Sequence, residues 1–362
     1  MIDESFIIGK PQALPEVYHT RFTAPSNIAL VKYWGKHGTQ LPQNANISFT
    51  LDHCQTQTSV AFEKKKSPDE HISFEIFLDG QPAPDFKPKI EQFIKRIVPY
   101  QPFLNNYTLE IQTRNTFPHS SGIASSASGM AALACCFMDF ERSLNSDITD
   151  IQFRQKASFL ARLGSGSAAR SIEGGLMTWG VHPDLPGSSD RYAIAYPHQV
   201  HELFTTYQDT ILLVDKGEKQ VSSTVGHRLM HGHAFAKARF EQANEQMSKL
   251  IPVLKAGDLD TFMKIVEMEA LSLHAMMMTA DPYFMLMKPN TLEIIQKVWD
   301  YRKSEGVPLC FTLDAGANVH LLYPETAKEQ ALQFIEDELV VHCQNGQYIC
   351  DRVGKGAKNT YL

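Results

Sequence analysis

Pro118-His119-Ser120-Ser121-Gly122-Ile123-Ala124-Ser125-Ser126-Ala127-Ser128-Gly129 runs without a break into Met130-Ala131-Ala132-Leu133-Ala134-Cys135-Cys136. The first part is small, polar and glycine-bearing; the second is an apolar run of helix formers. A pliable loop opening onto a helix N-terminus presents backbone N–H groups and the positive end of the helix dipole, which together seat a phosphate. The serines add hydroxyls, one of which is a candidate to hold a metal ion bridging phosphates. The loop has neither the Gly-Lys-Ser/Thr ending of the P-loop nor the G-x-G-x-x-G of dinucleotide folds, so a phosphate site here belongs to another architecture. The competing reading is an ordinary serine-capped helix start whose small residues serve close packing.

Working outward, a second cradle of the same chemistry follows at Gly164-Ser165-Gly166-Ser167-Ala168-Ala169-Arg170-Ser171. Its backbone N–H groups and hydroxyls suit a diphosphate, and its terminal guanidinium suits a carboxylate; taken alone it also reads as an interhelical linker. Upstream, Lys32-Tyr33-Trp34-Gly35-Lys36 sets two lysines around an aromatic pair, a compact anion-binding surface. The alternative there is a strand with two exposed lysines and two core aromatics. Phe311-Thr312-Leu313-Asp314 ends an apolar strand on an acid, followed by Ala315-Gly316-Ala317-Asn318. Such an acid can be partly buried and still reach a cleft, as a base must, or it can simply cap a hairpin. Val221-Ser222-Ser223-Thr224 reads first as a helix cap that leaves hydroxyls free for contact. His227 and His231 lie one helical turn apart but lack the H-E-x-x-H glutamate and a neighbouring Cys or Asp ligand. His274 sits in a methionine-rich apolar stretch and reads as a packed core residue.

With 43% hydrophobic and 20% charged residues among 362, the chain has the makings of a globular protein with a sizeable core. The net charge of −6, and no basic run beyond Lys64-Lys65-Lys66, argue against nucleic acid as a partner. The six cysteines form no C-x-x-C pair, and no secretory signal opens the chain, so reduced thiols in the cytoplasm are expected. No apolar run reaches the roughly 18 residues of a membrane span.

Strand-like alternation marks Thr58–Phe62, Ile72–Leu78 before an Asp79-Gly80 turn, and Tyr107–Thr113. Helical spacing follows the serine loop to about Ser143 and again over Ile151–Leu163, with Gly164 as a stop. After residue 205 come a buried strand at Thr210–Asp215, mostly helix from 224 to 280, an amphipathic helix over 290–305, and a hairpin around Ala315-Gly316-Ala317. The pattern predicts an α+β protein of two domains, residues 1–195 and 196–362. The small, polar tail from Gly354 to Leu362 reads as a mobile end.

Taken together, Asn27-Ile28-Ala29, Lys32–Lys36, Phe117-Pro118, Gly122–Ala127, Gly164–Ser171, Gly174-Gly175, Val221–Thr224, Leu273-His274-Ala275 and Asp314-Ala315-Gly316 with Asn318 resemble the diphosphomevalonate decarboxylase family of the GHMP kinase superfamily. The likeness covers about residues 21 to 323. It implies a ribosomal-S5-like N-terminal domain, a ferredoxin-like C-terminal domain and a homodimer. It also implies ATP- and Mg²⁺-dependent conversion of mevalonate 5-diphosphate to isopentenyl diphosphate. By the same resemblance Asp314, Arg170 and Lys32 are the catalytic residues. Tyr33, Trp34, Gly35, Lys36, Ser165, Gly166, Ser167, Ala168, Ala169, Arg170, Ser223 and Thr224 bind the substrate. Ser120, Ser121, Gly122, Ala124, Ser125 and Ser126 wrap ATP, with Ser125 or Ser126 at the metal. Departures from the family pattern are His119-Ser120-Ser121 for Thr-Ala-Ala, Ala169 for Cys and Ala317 for Pro. Many members also carry a diphosphate-contacting arginine at a place matching the neighbourhood of Ser73, where this chain has none; Lys64, Lys65 or Lys66 would have to substitute. The alternatives are a mevalonate or phosphomevalonate 3-kinase or decarboxylase of the same superfamily, and a non-catalytic nucleotide-binding protein.

Overall fold

Two long strands make the frame, and their burial patterns show where the rest of the chain lies against them. The computed structural model describes residues 3–7, 13–67, 72–118, 123–217 and 223–361. In chain order come β1 (Val17–Val31), the short pair β2 (Lys36–His37) and β3 (Leu41–Pro42), and β4 (Asn46–Lys64). Then follow β5 (Phe74–Leu78), β6 (Gln81–Pro82), α1 (Lys87–Ile97), β7 (Tyr107–Asn115), α2 (Ser125–Leu144), α3 (Asp150–Gly164), a 3-10 turn (Gly166–Ser171), β8 (Leu176–Trp179) and β9 (Ile194–Ala195). The second half holds β10 (Gln208–Leu212), α4 (Ser223–Leu229), α5 (Ala236–Ala256), α6 (Leu259–Met278), α7 (Pro289–Glu305), β11 (Cys310–Leu313), β12 (Val319–Tyr323), α8 (Lys328–Phe334), β13 (Tyr348–Arg352) and β14 (Lys358–Asn359).

Among the described residues β1 and β4 lie in an eight-stranded sheet ordered β14-β1-β4-β7-β5-β6, with β8 and β9 continuing from β4. Where residues 17–22 of β1 face residues 63–58 of β4, burial alternates, as expected of a sheet with one face covered. The covering helix is α2, almost wholly buried; its alanines, Cys135 and Cys136 let it lie close beneath the sheet. Where Asn27–Val31 faces Thr50–Ile47, every residue is buried. There Ile28, Leu30, Ile47 and Phe49 share a core with Met247 and Leu250 of α5 and Phe262 and Val266 of α6.

The second sheet is antiparallel, ordered β11-β12-β10-β13. Alternation along its strands sends Leu212, Phe311 and Leu321 into a core with α7 and α8, and Ile211, Cys310 and Leu322 into the core shared with β1 and β4. The molecule is thus an α+β protein with two domains.

The tail is not the free end its composition suggests. Gly354 N–H donates to the Thr50 carbonyl, and β14 pairs with β1 through Phe22 and Thr23. A Cβ on Gly356 would overlap the Glu173 carbonyl, 1.8 Å away, so the small residues are there because backbone meets backbone. Just before it, the Asp351 carboxylate accepts the N–H groups of Asp52, His53 and Cys54 at 2.7–2.9 Å, tethering the second sheet to β4.

Candidate active site

β1 delivers Lys32 into the seam between the two sheets. Its side chain is fully buried, with Nζ donating to the Ala29 carbonyl at 2.6 Å and standing 3.6 Å from Asp314 Oδ1. Its amide donates to Glu269 Oε2 at 2.8 Å, and its carbonyl accepts from Asn44 Nδ2 at 3.0 Å. Asp314 projects from the β11–β12 turn with its side chain 27% exposed, so one side of the carboxylate remains open to the cleft. His274 Nε2, on α6, lies 3.1 Å from the Asp314 carbonyl and steadies the turn.

Arg170, in the 3-10 turn, is 2% exposed. Nε donates to Ser48 Oγ at 3.0 Å, Nη1 to Asn46 Oδ1 and Nη2 to Asn27 Oδ1 at 3.2 Å. Asn27 is itself fixed, donating to Ser171 Oγ at 2.8 Å and to the Ser167 carbonyl at 3.2 Å. All three of Arg170's partners are neutral. Among the described residues no carboxylate lies within salt-bridge distance of it, so its charge is oriented but not spent. Burial holds the guanidinium down at about 10, while the charge of Asp314 opposes that fall. Burial likewise pulls Lys32 below the ordinary lysine value; Asp314 and then Glu269 draw it back, and Arg170 pushes it further down. The three expected catalytic side chains therefore share one electrostatic space.

Tyr33 and Trp34 continue from Lys32 and clasp His227, with ring centroids 4.3 and 4.7 Å from the imidazole. Gly35 N–H donates to His227 Nδ1 at 3.0 Å, which requires that nitrogen unprotonated. Burial, with a smaller push from Lys36, lowers His227 to about 3. This ring is a packed neutral group between two aromatics. The Tyr33 hydroxyl is buried without a hydrogen-bond partner among the described residues, and it lies against Gly166, where a Cβ would come within 2.6 Å of it. Ser165 and Ser167 are half-buried. Ala168 and Ala169 are fully buried in packing, so any role in binding falls to their backbone. Lys36 donates to Gln40 Oε1 at 2.9 Å, and burial and then Arg96 lower its pKa.

At the start of α2, Ala124 takes a left-handed conformation (φ 48°) and offers the first turn no side-chain acceptor. Ser126 Oγ accepts from Lys89 Nζ of α1 at 2.5 Å. Beside them opens a cavity of about 210 Å³ lined by Thr56, Ile76, Lys89, Ser125, Ser126 and Met130. Desolvation, then the charge of Lys36, lowers Lys89, so the two lysines bear on the same region. Ser120, Ser121 and Gly122 lie outside the described residues, as does Ser222; Ser223 and Thr224 open α4, and their side chains are likewise not described.

One expectation fails. Lys64, at the far end of β4, pairs with Glu16 at 3.0 Å. Sixteen residues of extended chain, about 50 Å, separate it from Ser48. Neither Lys64 nor its neighbours Lys65 and Lys66 can stand in for an arginine over the Arg170 pocket.

The motif reading passed over Asn46, Ser48, Glu269, Arg239 and Lys89. For the first two a signal existed. Asn44, Asn46, Ser48 and Thr50 alternate with apolar residues, yet all four are buried. A polar face on a strand otherwise fit for the core points to a site. For Glu269, Arg239 and Lys89, spacing alone gives an ordinary polar helix face.

Comparison with known proteins decides the family. Residues 24–193 match the model described as the diphosphomevalonate decarboxylase-like N-terminal domain, and residues 210–359 that of the mevalonate 5-diphosphate decarboxylase C-terminal domain. A diphosphomevalonate decarboxylase of Aspergillus fumigatus is 30% identical over 329 residues, 86% of this chain and 78% of that one. The chain belongs to the diphosphomevalonate decarboxylase family. Mevalonate diphosphate decarboxylase of Enterococcus faecalis has a similar structure, with a TM-score of 0.80, 27% identity, and coverage of 96% of this chain and 100% of that one. So does a decarboxylase structure described as a complex with MVAPP, AMPPCP and magnesium, at TM-score 0.80, 28% identity and the same coverage. The two-domain architecture is the GHMP kinase fold. The part matched by the family's N-terminal model supplies Lys32 and Arg170, and the part matched by its C-terminal model supplies Asp314, Glu269 and Arg239. The site of this family member is therefore made only when the two halves meet.

Proposed function

We propose that the chain converts mevalonate 5-diphosphate and ATP to isopentenyl diphosphate, ADP, phosphate and CO₂. The observation that carries the reading is Arg170, a buried guanidinium aimed by three neutral partners, in one space with the Lys32–Asp314 pair. The residues fit the chemistry. A tertiary C3 hydroxyl is a poor leaving group until it is phosphorylated; loss of phosphate then leaves positive charge at C3, and departing CO₂ supplies the electrons of the new double bond. Arg170 holds the C1 carboxylate. Asp314 orients or deprotonates the C3 hydroxyl and then faces the developing cation. Lys32 pairs with Asp314 and lies close to the phosphoryl group in transfer. Nearly all the work is positioning and electrostatics.

Bound Mg·ATP supplies the phosphoryl group, and the open first turn of α2 with Ser125, Ser126 and Lys89 fits its phosphates, with Ser125 or Ser126 reaching the metal. By the family resemblance Ser120, Ser121, Gly122 and Ala124 are assigned to the same nucleotide. The orphaned Tyr33 hydroxyl, with Trp34, Gly35, Lys36, the Ser165–Ala169 backbone, Ser223 and Thr224, receives the 5-diphosphate. A second reading is a substrate with fewer phosphates, as for a mevalonate or phosphomevalonate enzyme of the same superfamily; Ser73 lies at Lys64's end of the first sheet, so the lack of an arginine there does not decide between the two. A panel of mevalonate, its 5-monophosphate and its 5-diphosphate with Mg·ATP, read by CO₂ release and by isopentenyl product, tests both. Preference for the diphosphate supports the first, preference for the monophosphate supports the second, and no CO₂ from any rejects decarboxylation.

We also propose a homodimer working in the cytoplasm, with the domain boundary near residues 195–196 and residues 353–361 returning to the first sheet. Among the described residues no helix is long and apolar enough to cross a membrane.

A further inference from the structure

We propose that the buried Arg239–Glu269 ion pair is a positioning device that sets both the place and the charge of Lys32. The inference rests on the reading of Lys32 as a catalytic group. Arg239 projects from α5 and Glu269 from α6, and their side chains are 2% and 0% exposed. The pair is bidentate, Nη2 to Oε2 at 2.5 Å and Nη1 to Oε1 at 3.0 Å. A buried ion pair is a poor way to gain stability, since desolvating two charges offsets most of their attraction and well-packed apolar residues serve as well. Here the arrangement is not even complete: Arg239 Nε has no partner among the described residues. A half-satisfied buried network calls for a reason other than stability.

Glu269 supplies the reason. The oxygen that takes Arg239 Nη2 also accepts the Lys32 N–H at 2.8 Å. Lys32 lies just past a register irregularity at Ala29–Val31 in β1, where the sheet no longer fixes the backbone, and its side chain curls back onto the Ala29 carbonyl. The carboxylate replaces the missing ladder contact.

It also places a full negative charge beside a buried ammonium. The groups acting on Lys32 are Asp314 from the β11–β12 turn, Glu269 and His274 from α6, Arg170 from the 3-10 turn, and Arg239 from α5 behind Glu269. His274 is neutral, held down at about 4 by burial. Without Glu269, Lys32 and Arg170, both fully buried, would share one carboxylate, and the lysine, unlike the guanidinium, is able to lose its proton.

The test is Glu269→Gln, which keeps an oxygen for the Lys32 amide and removes the charge. Titration of the Lys32 side chain by NMR, with lysine ¹³C-labelled at Cε, needs no substrate. The Lys32 pKa should fall by about one unit. Turnover of mevalonate 5-diphosphate should drop about tenfold or more in kcat, with KM changed less than about threefold, and the basic limb of the pH profile should move to lower pH with the NMR shift. Glu269→Asp, which keeps the charge but withdraws it, should shift Lys32 in the same direction by less; it carries the test if the glutamine variant does not fold. In a Lys32→Met background, Glu269→Gln should cost no further kcat while its loss of thermal stability persists. An unmoved Lys32 titration, or a kcat loss that repeats in full without Lys32, overturns the proposal. If the wild-type chain releases no CO₂, the functional reading fails by itself, and the substrate-free titration still decides this one.

Discussion

In the proposed mechanism Arg170 and Asp314 divide the work that a carboxylated tertiary alcohol demands, and a substitution at Asp314 tests its share. Asp314→Asn keeps shape and removes the negative charge. Turnover should fall about 10²–10⁴-fold, while the thermal shift produced by Mg·ATP persists; loss of both together would make Asp314 a structural cap. The imidazoles give a second residue-level prediction. His227 and His274 are held near 3 and 4 by burial, against about 6.5 in an unfolded chain. Between pH 6.5 and 4 both therefore take up a proton only on unfolding. Stability should fall as pH drops through that window, each ring contributing up to about 1.4 kcal/mol per pH unit. Urea unfolding at pH 7, 6 and 5 measures the slope. His274→Gln should flatten it by one ring's share, and an unchanged slope would mean that His274 is protonated in the native state.

At the scale of elements, short loops and strand ends carry the site because rigid partners hold them. α4 packs on Trp34 through Gly226, where a Cβ would come within 2.4 Å of the indole. The 3-10 turn packs on Tyr33 through Gly166. Gly226→Ala should cost about 1–3 kcal/mol, as overpacking against a rigid ring does, and should raise KM for the diphosphate more than it lowers kcat. Wild-type stability and KM together would show that α4 does not seat where the structure has it. This is also the scale at which the sequence reads well. The Asp79-Gly80 turn, the stop of α3 at Gly164 and the β11–β12 hairpin follow from local propensity and turn chemistry, and the structure places all three as expected. The thiols of Cys135 and Cys136 are core, as their apolar setting implies. What local reading loses is the continuity of β4: the Thr58–Phe62 segment is only part of one strand that begins at Asn46, because pairing with β1, β7 and β8 carries the chain through its polar stretches.

For the whole molecule the question is how the two sheets are held. The Asp351 carboxylate answers three backbone donors of β4 at once. Asp351→Ala would leave those N–H groups without their acceptor and should destabilise the protein by about 3 kcal/mol or more. Because Lys32 and Asp314 come from opposite sides of the seam, kcat should fall with it even at temperatures where the chain remains folded. An Asp351→Ala variant with wild-type unfolding and rate would show that the shared core alone fixes the domains.

The sequence by itself determined the chemistry available: two serine-and-glycine cradles, an arginine, a pair of lysines and an acid at a strand end, in an order that resembles one family. These are local features, set by residue type and spacing over a few residues. Only the tertiary structure decided which of them meet and what supports them. Asn46 and Ser48 aim Arg170, Glu269 fixes Lys32, and Lys64 is too far away to matter, because each of those facts depends on contacts between residues more than a hundred positions apart, or on the length of one unbroken strand. Spacing along the chain carries no record of such distances, whereas packing does.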